Sequence, residues 1–272
     1  MSYIQIFDTQ TIDTKTNVKL TDGYYVCETD TFKVIYEFWA EKGVMAFSVY
    51  NKTDKPLYID WRNSSFIYNS DKNNYWNDEI TTKTLGVSYN AGYFYRGPLV
   101  LPGYTVGESS GIQSSVSKTT KPERVTFIPP KSYYYSKIQF SLYRKNNFTF
   151  GKTAYESVVP RNDKPKKETN VCEEDFDYTK SPLKFRNYLA FSFSETNPTF
   201  FFCDNEFYLS SVREMDYRHY RGQHSTKNGE IVYSKPFKKK SSFYIKISNE
   251  NSVARFSNSF PTKEATDKSS VH

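Results

Sequence analysis

Histidine, cysteine and the strong helix formers alanine and leucine are all scarce in this chain, and each shortage closes off a class of protein. The cysteines Cys27, Cys172 and Cys203 are an odd number without metal-site or redox spacing, so no disulfide framework is expected. Cys27 and Cys203 lie in apolar, strand-like runs, where a thiol behaves as a small buried hydrophobe. His219 and His224 stand near Glu214 and Asp216, but their spacing puts the two rings on opposite faces of a strand, which does not build a zinc site. No metal and no cofactor is expected. The shortage of alanine and leucine argues against a helical bundle. No apolar run approaches the ~18 residues of a membrane-spanning helix. The opening Met1-Ser2-Tyr3-Ile4-Gln5-Ile6-Phe7 lacks the charged and apolar regions of a secretory leader. That start predicts a soluble cytoplasmic chain; a leader removed ahead of Met1 would place the protein at the cell envelope.

What is present is aromatic. Tyrosine (24) and phenylalanine (22) dominate, a bias that fits pleated, half-buried surfaces. The formal charge of +7 is spread along the chain, a modest attraction to anionic surfaces and a poor case for dedicated nucleic-acid binding. The organising stretch runs from Val44 to Ile67. Met45, Phe47 and Val49 alternate with Ala46, Ser48 and Tyr50, the period of a half-buried strand. Asn51 to Pro56 then reverses the chain, and Leu57, Ile59 and Trp61 resume the alternation as the partner of an antiparallel pair. Trp61 carries enough apolar area to require a second sheet against it.

Elsewhere, Tyr3 to Phe7 reads as a short edge strand, Asp22-Gly23 and Lys227-Asn228-Gly229 as hairpin turns, and Thr31 to Trp39 as a central strand. Tyr75-Trp76 sits in a polar loop, Gly86 to Gly111 alternates glycine with tyrosine as short strands and turns, and Glu108 to Thr120 is a Ser/Thr-rich loop. Tyr133 to Tyr143 is the longest later strand, Arg213 to Tyr220 either a helical turn or more strand, and Phe243 to Ile247 the last alternation. Ala46-Phe47-Ser48 matches Ala190-Phe191-Ser192, each followed by a polar turn; duplication and chance both account for this. The expected organisation is a β-sandwich first half or lobe over 1–145 and a polar crossover or linker over 146–184. A second β-rich half packs on the first over 185–250, and a polar, disordered tail occupies 251–272.

Chemistry-bearing motifs are weak. Gly151-Lys152-Thr153 lacks the earlier glycine of a phosphate loop, where Asn146 stands. No nucleophile elbow is present. Asp60, Asp78, Glu79 and Asp204 are formally available to a glycosidase. Lys131-Ser132-Tyr133-Tyr134-Tyr135-Ser136-Lys137 mixes bases with aromatics but reads as a tyrosine strand kept soluble by lysine, as does Lys238-Lys239-Lys240 before the last strand.

The run Phe47-Ser48-Val49-Tyr50-Asn51-Lys52-Thr53-Asp54-Lys55-Pro56-Leu57-Tyr58-Ile59-Asp60-Trp61 resembles a group of uncharacterised Bacteroidota proteins. Phe38-Trp39-Ala40-Glu41-Lys42-Gly43, Phe127-Ile128-Pro129-Pro130-Lys131-Ser132 and Asp204-Asn205-Glu206-Phe207-Tyr208 share that likeness, which covers most of the chain. The resemblance implies no activity; similar proteins often carry a lipoprotein-type leader, which this chain lacks. The strand, Asn-rich turn, proline, strand pattern is also similar to immunoglobulin-like sandwiches of bacterial envelope proteins, a likeness of fold alone.

The expectation is an all-β, immunoglobulin-like antiparallel sandwich with an elaborated second half. Its function is read as non-catalytic binding or structural, at the cell envelope, with an unknown protein or glycan partner. Trp61, Tyr75 and Trp76 are the contact candidates, Trp61 being expected in the core. The alternatives are a glycan-active enzyme using carboxylates on a sandwich face, and an intracellular basic adaptor for nucleic acid.

Overall fold

The computed structural model describes residues 2–12, 17–77, 81–83, 118–120, 123–137 and 139–248. In chain order the strands begin β1 (Tyr3–Thr11), β2 (Val18–Thr21), β3 (Tyr24–Glu28), β4 (Phe32–Glu37), β5 (Ala46–Asn51) and β6 (Leu57–Tyr68). They continue β7 (Asp71–Asn74), β8 (Thr81–Lys83), β9 (Lys118–Thr120), β10 (Val125–Ile128), β11 (Tyr133–Tyr135) and β12 (Tyr155–Pro160). After β13 (Glu168–Asp175), β14 (Lys184–Ser192) and β15 (Phe201–Asp216) come the single turn of helix α1 (Tyr217–Arg221), then β16 (His224–Lys227), β17 (Glu230–Tyr233) and β18 (Ser242–Ile247).

Two antiparallel sheets form a sandwich. The smaller has the order β11-β5-β4-β3-β2; the larger runs β10-β6-β14-β15-β1-β18, with β7 beside β6 and the β12–β13 hairpin on β15. β15 is long enough to pair with β14 over Phe201 to Tyr208 and with β13 over Ser211 to Met215, while β1 takes its other edge. Strands from both halves of the chain therefore mix within one sheet. Aromatic rings fill the space between sheets: Tyr36 and Phe38 of one face meet Phe207 of the other at 5.1 Å each. Edge-to-face contacts of this kind add to the area that large rings bury.

The turn after Asn51 does reverse the chain, but it carries it from one sheet to the other, so β5 and β6 are not ladder partners. Buried Asn51 explains the crossing. Its Oδ1 accepts from Thr53 N and Oγ1, and its Nδ2 donates to the carbonyls of Lys55, Ile128 and Pro129. The related run Ala190 to Ser192 ends β14, whose chain returns within the same sheet as β15.

Other elements also depart from expectation. β1 is interior, flanked by β15 and β18, because both of its faces are buried at Ile4, Gln5, Ile6 and Phe7. The strand expected over Tyr133 to Tyr143 stops at Tyr135. Ser136 Oγ accepts the Phe47 N–H at 3.1 Å, and beyond it Met45 N donates to Phe140 O at 2.8 Å. Arg213 to Tyr220 is strand to Asp216 and helix thereafter. The polar segment 146–184 holds the β12–β13 hairpin. The glycine-rich stretch from Gly86 to Gly111, Asp78, Glu79 and the tail from Asn251 lie outside the described residues.

Candidate functional site

Trp61 and Tyr75 are interior side chains, each only 4% exposed. Trp61 Nε1 donates to Thr126 Oγ1 at 2.8 Å, Tyr75 OH donates to Asn187 Oδ1 at 2.7 Å, and the two rings lie 5.4 Å apart. Trp76 is half-buried against the same core. The three thus help join the sheets, and the surface that Trp61 and Tyr75 present is small.

Exposed tyrosines line the outer face of the smaller sheet. In β11, Tyr134 turns inward while Tyr133 and Tyr135 stand out, 50% and 37% exposed. Pairing places Val26, Ile35, Ser48 and Tyr135 side by side across four strands, and Lys33, Tyr50 and Tyr133 in the neighbouring row. Ser48 is the small member of its row, so the face dips there. The resulting groove, about 330 Å³, is lined by Thr21, Asp22, Tyr24, Lys33, Tyr133 and Tyr135 over a Val26, Ile35 and Ser48 floor. Tyr50 and Tyr133 lie 4.6 Å apart, and Lys240 Nζ sits 3.5 Å above the Tyr24 ring. Ser48 is 1% exposed and its Oγ has no hydrogen-bond partner among the described residues. A buried hydroxyl in that state is uncommon and costs free energy until something engages it.

Lysines near the groove have carboxylate partners. Lys52 Nζ lies 2.9 Å from Glu28 and holds that carboxyl below its usual range, Lys33 approaches the same carboxylate at 3.9 Å, and Lys131 lies 3.3 Å from Asp54.

A larger cavity, about 850 Å³, opens where the β1–β15 register shifts between Asp8 and Thr9, leaving Ser210 of β15 as the extra, bulged residue. Its Asp8 carboxylate is already engaged, by Arg213 at 2.9 Å, Lys239 at 3.4 Å and Ser242 Oγ at 2.5 Å. The carboxylates weighed for glycoside chemistry are engaged too: Asp60 by Arg124 and the Asn63 N–H, Asp204 by a two-pronged contact from Arg186. Gly151 N and Thr153 Oγ1 both donate to the Glu174 carboxylate, which fills the place an anion would need.

The histidines do not converge. Buried His219 accepts the Asn162 N–H at Nδ1, and burial lowers its pKa against the opposing pull of Asp163 and Asp216; His224 is exposed on β16. Asp216 caps α1 instead, accepting from Arg218 N at 2.7 Å. Among the described residues no group of histidine, cysteine and carboxylate side chains has the arrangement of a metal site, and no helix is long and apolar enough to cross a membrane. The groove escaped sequence reasoning because its floor comes from three strands; the alternation through Tyr133-Tyr134-Tyr135 was its one local signal. Comparisons with protein-family models, with curated proteins and with solved structures give no match for this chain.

Proposed function

We propose that this chain is a non-catalytic binding protein of the bacterial cell envelope that takes a neutral glycan in the tyrosine-lined groove of its smaller sheet. The observation that carries the proposal is the unpartnered Ser48 hydroxyl beneath outward-facing Tyr133 and Tyr135. A sugar ring has an apolar C–H face and a rim of hydroxyls. Tyrosine offers a rigid aromatic surface with a polar tip at little entropic cost, and Ser48, Lys33, Asp22 and Thr21 supply the few polar groups that orient a ligand. Engagement of Lys33, Lys52 and Lys131 by carboxylates favours a neutral ligand over a polyanion. The envelope placement rests on the resemblance to lipoprotein-like Bacteroidota proteins. The immunoglobulin-like character of the sandwich belongs to the same proposal, supported by two facing antiparallel sheets.

Native electrophoresis through gels containing neutral polysaccharides such as xylan, mixed-linkage glucan and mannan tests it. The wild type should be retarded by at least one of them, and Tyr133→Ala/Tyr135→Ala should remove the retardation with Tm changed by about 2 °C or less, as expected for exposed side chains. Migration unaffected by every neutral polysaccharide, together with salt-sensitive retention on heparin, would replace the glycan by a polyanion.

A further inference from the structure

Cys27 of β3 and Cys203 of β15 come from opposite sheets, and both are buried. Their sulfurs are 3.7 Å apart, with Cys203 donating to Cys27, and Asn205 Nδ2 donates to Cys203 Sγ at 3.0 Å. The pair ends a buried polar chain. Asn205 Nδ2 reaches Tyr36 OH at 2.7 Å, Asn187 Nδ2 reaches the same phenol at 3.2 Å, and Tyr75 closes on Asn187. These bonds fix the Cys203 side of the pair, while Cys27 lies one strand in from the short edge strand β2.

We infer that Cys27 and Cys203 form a latent inter-sheet disulfide, left as two thiols in a reducing compartment and closed in an oxidising one. A disulfide needs sulfurs about 2.05 Å apart, so closure takes about 1.6 Å, shared between two side-chain rotations. The oxidant is a low-molecular-weight disulfide. Fraying of β2 admits it. The Cys27 thiolate attacks one of its sulfurs and releases one small thiol; Cys203 then attacks the mixed disulfide at Cys27 and releases the second. Two protein S–H protons end on the two released thiols, and the external disulfide takes up the two electrons. Cys172, buried on β13, takes no part: no sulfur contact joins it to the pair among the described residues, and burial, helped by acidic neighbours, pushes its thiol up to about 12. The link would tie β3 to β15 across the core and close a very long loop, the case in which a cross-link restricts the unfolded chain most.

The full chain is unfolded in urea and refolded in an oxidising glutathione buffer, then alkylated, weighed and mapped. The expected result is the loss of two alkylatable thiols, one linked peptide joining Cys27 to Cys203, Cys172 free, and a Tm about 5 °C above that of the same sample after reduction. A Cys172→Ala variant should behave identically. Three free thiols, links to Cys172, or a Tm that falls on oxidation would overturn the inference; sugar binding enters none of these readouts.

Discussion

Asn51 does with one side chain what a whole loop does elsewhere. Two of the carbonyls it serves, Ile128 and Pro129, belong to residues 77 and 78 positions away. The turn was legible from Asn51 to Pro56, but the change of sheet was not, because those partners are invisible in the local sequence. Asn51→Ala would leave buried carbonyls unpaired, and a loss of about 3 kcal/mol is expected, read as a lower urea midpoint with unchanged slope. The phenols give a second residue-scale prediction. Burial pushes Tyr25 and Tyr143 up to about 12, and Tyr36 and Tyr75 well above their usual value. Between about pH 10 and 12 the unfolded chain releases phenolic protons that the folded chain keeps, so unfolding becomes easier as pH rises. Stability is full below the unfolded pKa of about 10 and then falls by at most ~1.4 kcal/mol per pH unit for each such phenol. Urea midpoints at pH 8, 9.5 and 11 should decline mostly over the last interval.

Among the elements, those whose alternation is apolar were readable and those with inward polar groups were not. β5, β14 and β18 bury Phe47, Phe191 and Ile245 in period two, and the hairpin turns Asp22-Gly23 and Asn228-Gly229 have the positive φ angles their residue types announce. β13 looked like a linker because it turns Cys172 and Glu174 inward, and Glu174 is satisfied by Gly151 and Thr153, more than a strand away in sequence. The link between β4 and β5 depends on Gly43, whose φ is +66° and whose added Cβ would lie 2.8 Å from the Phe243 ring. Gly43→Ala should therefore strain the backbone and displace β18 together. A loss of about 2–3 kcal/mol is expected by thermal or urea unfolding, whereas Gly23→Ala, with the same backbone sign but open space, should cost about 1 kcal/mol.

For the whole molecule, strand content and an aromatic interior were written in the composition, and their arrangement was not. β6 pairs with β14 and β1 with both β15 and β18, so the sheet is held together by contacts between the first and second halves. Both sheets use their inner faces for the core, and part of the larger sheet's outer face is covered as well, where Ile4, Ile6 and Met215 pack with Trp39 and Tyr220. The larger sheet exposes Phe127 and Phe202, each at 51%, whereas the smaller exposes the tyrosine groove. The candidate site was half legible: Tyr133 and Tyr135 were visible as a tyrosine strand, while Ser48 acquired its meaning only when β5 came to lie between β4 and β11. The most direct measurement is tyrosine nitration mapped by peptide mass, with and without the polysaccharide that retards the protein. Protection concentrated at Tyr133 and Tyr135 is the predicted result; binding that leaves both as reactive as in the free protein would contradict the account.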